Sequence, residues 1–117
     1  TLRKLDRFAD QVLVLNDVPK FTEDPVACLE EHLDDVTACT TARDVAVRPQ
    51  MTEATRQAAE DAGVLFADPS PLVCPGDPCP VVDGRYLVVY DTSHVTPAYS
   101  LVVKDGLAAL LPEIPAP

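Results

Sequence analysis

The sequence predicts an α/β domain built on a parallel sheet, and three observations carry that prediction. Two apolar runs end in the same way, "VLVLND" at Val12 to Asp17 and "VLFAD" at Val64 to Asp68. Between them lies one strongly helical segment, Pro49 to Ala62. Strand, connection with helix, strand is the natural parse, and a right-handed parallel crossover is its expected geometry. At 117 residues the chain has room for one domain with a modest core.

Residues 2 to 9 place Leu2, Leu5 and Phe8 at three-residue spacing and read as the end of a helix that starts before Thr1. The run from Val12 to Leu15 has the look of a strand buried on both faces, stopped by Asp17-Val18-Pro19. Lys20 to Val47 holds the first two cysteines, a short helix at Val26 to Leu33 and no strong period, so it reads as a loop-rich excursion. The helix from Pro49 to Ala62 carries good formers throughout, with Pro49 near its start and Gly63 just past its end. It leads directly into the second strand. Asp83-Gly84, between "PVV" and "RYLVVY", signals a hairpin turn. Thr96 as N-cap and Pro97 in the first turn open a last helix to about Leu111, with Ala98, Leu101, Val102 and Leu110 available for its buried face. Gly106 weakens that helix by about 1 kcal/mol relative to alanine, and "PEIPAP" is a frayed tail.

Nineteen acidic residues against nine basic ones give a formal charge of −10, which disfavours a protein that grips phosphate backbones or anionic lipid, so nucleic acid is excluded as a partner. No apolar run approaches the roughly 20 residues of a membrane span, and "TLRKLDRFAD" has no apolar signal-peptide core. Four cysteines fall into two local pairs, Cys28 with Cys39 and Cys74 with Cys79, although four thiols permit three connectivities. The prolines and Gly76 of "CPGDPC" build a tight loop that favours the local bridge. Zinc is the competing reading, but only one of the two spacings fits a C-x₂₋₄-C knuckle, and neither histidine is near. Disulfides place the chain outside the cytoplasm.

The stretch "YDTSHVTP" sets Asp91 and His94 three positions apart, after the apolar "LVVY" and at the mouth of the last helix. Loops at the carboxyl ends of parallel strands line ligand crevices. An aspartate that accepts from one imidazole nitrogen fixes the tautomer and steadies the cation formed when the other nitrogen takes a proton. By itself D-x-x-H is common, and its plain reading is a surface aspartate beside a helix-entry histidine. His32, in the acidic run "LEEHLDD", reads as a solvated helix end; Asp17 and Asp68 as caps or turn formers; Tyr86 and Tyr90 as packing or cross-strand residues.

The run "FADPSPLVCPGDPCPVVDGRYLVVYDTSHVTPAYSLVV" resembles the C-terminal part of SGNH-type hydrolase domains, especially those appended to acyltransferase-3 membrane proteins. There a strand ending in Asp leads to a cysteine-bridged loop, then to a D-x-x-H-[LV]-[ST] segment and a closing helix. The likeness extends back through "VLVLNDVP", "ACLEEHLDDVTAC" and "TRQAAEDAG", over nearly the whole chain. It implies a partial flavodoxin-like (SGNH hydrolase) three-layer fold, of which residues 1–111 form the C-terminal half and 112–117 a tail. Asp91 and His94 match the family's acid and base, Thr96 follows in its usual place, and Val95 replaces the commoner leucine.

The family's nucleophile belongs to a Gly-Asp-Ser motif, which this chain lacks. Ser70, Ser93 and Ser100 have other settings, and Asn16 does not sit in the block that supplies an oxyanion donor. The resemblance therefore implies a serine upstream of this chain, on a missing N-terminal half, and a membrane acyltransferase domain beyond it. It implies O-acylation or ester hydrolysis of cell-envelope glycans, with an acyl donor and a glycan acceptor as partners and no cofactor or metal. A catalytically idle envelope scaffold that kept the fold, and a small disulfide-bridged secreted interaction domain, are the alternatives.

Overall fold

A computed structural model describes residues 1–113; the end of the tail, 114–117, lies outside the described residues. The elements follow in order: α1 (Leu2–Leu5), β1 (Leu13–Leu15), α2 (Pro25–Glu31), a 3₁₀ turn (Val36–Cys39), α3 (Arg43–Val47), α4 (Pro49–Ala62), β2 (Leu65–Ala67), α5 (Ser70–Val73), β3 (Val82–Asp83), β4 (Tyr86–Leu87) and α6 (Pro97–Leu110). β1 and β2 pair in parallel, Leu13 opposite Leu65 and Leu15 opposite Ala67. The α/β class with a parallel crossover is therefore present, and the connection contains α4 as expected.

α4 keeps the bounds read from the sequence because both its ends are chemically marked. Pro49 excludes the helical region for the residue before it, and Arg48 turns instead to φ 53°, breaking α3 from α4. Gly63 closes the helix at φ 70° in the left-handed conformation that glycine adopts without steric cost. Arg48 also reaches back to Asp17, Nη2 to Oδ2 at 3.5 Å.

The first helix spans only Leu2–Leu5, leaving Phe8 88% exposed. β1 is not buried on both faces: Leu15 and, across the pair, Leu65 are exposed, because among the described residues each strand has only the other as neighbour. "LVVY" is not a strand of the parallel sheet. Its start, β4, pairs antiparallel with β3 around a two-residue Gly84-Arg85 loop, with Gly84 at φ 58°, one residue later than the sequence signal. Val88 and Val89 then bury completely and bond locally, Val88 N–H to Val81 O and Thr96 N–H to Val88 O.

The last helix also presents a different face. Tyr99 is buried and Val103, Gly106 and Leu107 half-buried, whereas Ala98, Leu101, Val102 and Leu110 face outward. The phase is set at the cap. Thr96 Oγ1 donates to Leu87 O at 2.6 Å and accepts from Tyr99 N–H at 3.1 Å, and the Tyr99 hydroxyl donates to Asp83 at 3.1 Å. Gly106 has a packing role as well, since a Cβ there would stand 2.6 Å from a methyl of Leu72 on α5.

The core gathers Phe21, Ala46, Val73, Val81, Val88, Val89, Tyr99 and all four cysteines, bonded as Cys28–Cys39 and Cys74–Cys79. It lies under the hairpin and the bridged loops rather than under the parallel sheet. The radius of gyration is 16.3 Å, against about 13 Å for a compact domain of this length.

At the carboxyl ends of β1 and β2, Asn16 donates to Asp68 (3.1 Å) and Thr52 (3.0 Å), while Ser70 donates to Asp68 from its hydroxyl (2.6 Å) and its backbone (3.0 Å). Burial raises the Asp68 pKa, but the bonds from Ser70 and Asn16 outweigh it and hold the carboxyl below its ordinary value. A depressed folded-state pKa contributes stability that is complete above the unfolded value and disappears as pH falls through the folded one. Replacing Asp68 by Ala is expected to cost about 2 kcal/mol at neutral pH. Urea melts at a series of pH values should show the gap between wild type and variant closing below about pH 4. Thr96→Val, which strands Leu87 O and uncaps α6, is expected to lower stability by about 1–2 kcal/mol in the same melts at neutral pH.

Candidate active site

Asp91 and His94 meet in a five-residue loop between the buried Val88-Val89 pair and α6. The loop is closed at its base by a Val89–Val95 bridge and by Tyr90 N–H donating to His94 O at 3.1 Å. Inside it the Asp91 carboxylate collects three donors. Its Oδ1 accepts the backbone N–H of Ser93 and of His94, each at 2.8 Å. The His94 Nδ1 lies 2.8 Å from Oδ2 and 3.0 Å from Oδ1.

A carboxylate only accepts, so Nδ1 carries the proton and Nε2 keeps a free lone pair in the neutral ring. The Asp91 pKa is lowered, first by the backbone bond from Ser93; desolvation opposes this, and the side-chain and backbone bonds from His94 and its charge add to the lowering. Asp91 is thus an anion across the neutral range. The His94 side chain is 63% exposed, and among the described residues Nε2 has no hydrogen-bond partner. This arrangement can accept a proton at Nε2 and stabilise the cation that results. The loop does not follow a parallel strand, as the sequence reading expected; a hairpin and the Thr96 cap present it instead.

The other residues singled out in the sequence sit elsewhere. Asp17 turns back on Val18 N–H and pairs with Lys20 and Arg48, and Asp68 binds Ser70 and Asn16, so both act as turn formers. His32 caps the C-terminus of α2, its Nδ1–H donating to Cys28 O at 2.9 Å. Contrary to the sequence expectation that neither histidine is near a cysteine, it stands beside Cys28 and Cys39, whose sulfurs are committed to each other. Tyr86 is half-buried in the hairpin, packed on the core. Tyr90 is not a packing residue. It is 46% exposed and stacks on the His94 ring, centroids 5.7 Å apart and planes at 17°; the only hint in the sequence was its place four residues before the histidine. Val95 and Val103 help line an apolar hollow of about 170 Å³ with Leu15, Val18, Leu72 and Leu107.

The model of the SGNH domain fused to AT3 domains matches residues 1–109. The chain belongs to the SGNH family fused to AT3 domains. No curated protein and no solved structure matches it. Membership marks the SGNH chain as a module of acyltransferase or esterase type, partnered in its family by a membrane acyltransferase domain. Its mixed α/β fold with a parallel pair of strands agrees with a partial SGNH fold. The two disulfides fit an oxidising, extracytoplasmic setting. Among the described residues no helix is long and apolar enough to cross a membrane.

Because the bond from Ser93 leads among the causes that depress the Asp91 pKa, part of that depression should outlast loss of the imidazole. A ¹³C-carboxyl titration of His94→Ala is expected to leave Asp91 below the ordinary value of about 3.9. A return to that value would show that the imidazole, not the backbone, holds the charge.

Proposed function

We propose that this chain supplies the acid and base of an extracytoplasmic serine O-acyltransferase or esterase acting on cell-envelope glycans. The observation that carries the reading is the state of one ring. His94 Nδ1 is held by Asp91 at 2.8 Å, while the side chain is 63% exposed and, among the described residues, Nε2 has no hydrogen-bond partner. In that reaction Nε2 removes the proton of a serine hydroxyl as its oxygen attacks the carbonyl of the acyl donor. Asp91 stabilises the imidazolium. The tetrahedral intermediate expels the donor's leaving group, which takes the proton from His94, and an acyl-serine remains. A glycan hydroxyl, or water, then loses its proton to His94 and attacks; collapse releases the acylated acceptor and returns the proton to serine.

None of the three serines of the chain is placed to be that nucleophile. The Ser70 hydroxyl is buried and donates to Asp68. Ser93 Oγ lies 3.4 Å from Nδ1, on the Asp91 side of the ring. Ser100 donates to Thr96 O. The reading therefore takes the serine and the oxyanion donors from outside these residues and treats residues 1–111 as the C-terminal half of one SGNH domain. Two further facts support it. The chain is less compact than a self-contained domain of its length, and Leu15, Leu65, Leu101 and Val102 are exposed beside strand edges and a helix face. The AT3 partner would hand over the acyl group from the membrane.

In the complete protein, His94→Ala is expected to reduce hydrolysis of a chromogenic acetyl ester to background with an unchanged circular dichroism spectrum. Asp91→Asn is expected to lower kcat by up to about 10⁴-fold. Undiminished hydrolysis by the His94 variant would refute the assignment, and glycan binding without turnover in the unmutated protein would favour the idle scaffold. A fluorophosphonate probe is expected to leave this chain unlabelled, and stoichiometric labelling would place the nucleophile within it.

A further inference from the structure

The bond to Asp91 holds His94 by one edge, and a ring held by one edge can still tilt. A contact on the face of the ring comes from Tyr90. The Tyr90 ring lies nearly parallel to the imidazole, at a separation within the 4.5–7 Å range of favourable offset stacks. The loop backbone prepares this contact. Tyr90 N–H donates to His94 O, and Val89 bridges Val95, so the two side chains leave neighbouring points of a closed loop. Among the described residues the Tyr90 hydroxyl has no hydrogen-bond partner, so the ring, rather than the phenol oxygen, makes the contact.

We propose that Tyr90 is a positioning residue for His94. Its ring face fixes the imidazole plane so that the Nε2 lone pair points out of the loop, and its π-cloud favours the imidazolium formed when Nε2 takes a proton. The proposal deepens the functional reading above and rests on it for its catalytic consequence; the positioning itself is measurable in the complete protein without any reaction.

The test uses Tyr90→Leu, which removes the aromatic face at an exposed position, and Tyr90→Phe, which keeps it. In ¹⁵N-histidine spectra of the complete protein at a pH where the ring is neutral, wild type and Tyr90→Phe are expected to show His94 with its proton on Nδ1. Tyr90→Leu is expected to show a mixture of tautomers and a weakened Nδ1–H signal. In the complete enzyme Tyr90→Leu should lower kcat about 2- to 5-fold with KM little changed, the size expected of an exposed cation–π contact, and Tyr90→Phe should restore it. A leucine variant with the wild-type tautomer and Nδ1–H signal, or a phenylalanine variant as impaired as leucine, overturns the proposal. If the leucine spectra change as expected but His94→Ala keeps full activity, positioning stands and the catalytic reading of His94 falls.

Discussion

Two disulfides are built into a core of small side chains. The fully buried side chains are small, chiefly valines, prolines and the cysteines of the second bridge. In the chain-entropy account a bridge across the 11-residue separation of Cys28 and Cys39 contributes about 3 kcal/mol, and the shorter Cys74–Cys79 loop about 2. The bridged segments are also tied to each other. Thr41 and Cys79 exchange backbone bonds in both directions, 2.7 and 3.4 Å, joining the excursion after β1 to the loop before the hairpin. Phe21 N–H donates to Thr92 O at 2.7 Å, so the same framework reaches the loop that carries Asp91 and His94.

That framework explains how an exposed loop can hold a defined geometry. Val88 and Val89, wholly buried, anchor its start, and Thr96, bonded at once to Leu87 O and Tyr99 N–H, anchors its end. Between these points the Asp91 carboxylate organises the turn by accepting two backbone N–H groups before it meets the imidazole. One anion thus serves both folding and chemistry. The charge that would steady a protonated His94 is already neutralised in part by fixed dipoles, and little needs to reorganise when the proton arrives.

The parallel pair is the less complete part of the molecule. β1 and β2 are joined at their carboxyl ends by Asn16, Thr52, Asp68 and Ser70, but their outer edges and several large apolar side chains are uncovered. An uncovered strand edge offers unpaired backbone groups to whatever lies beside it.

Local chemistry made much of this legible in advance. Pro49 and Gly63 marked the ends of α4, Thr96 and Pro97 the start of α6, and the Asp-His spacing the one loop where both side chains can meet without help from distant residues. The repeated run-then-aspartate pattern disclosed the parallel pair, and the composite of motifs disclosed the family. What the sequence could not reveal depends on contacts made only in the folded chain. The buried face of α6 follows from Tyr99 reaching Asp83 and not from the apolar residues of the helix itself, several of which face outward. The hairpin before "LVVY" was signalled by Asp83-Gly84, but its place outside the parallel sheet is seen only in the pairing of β4 with β3 and of Val88 N–H with Val81 O. The stacking of Tyr90 on His94 follows from a backbone bond across the loop. Periodicity and end signals act within a few residues and so are written in the sequence, whereas the choice of which apolar face is buried, and which ring lies on which, is made by contacts that exist only once the chain has closed on itself.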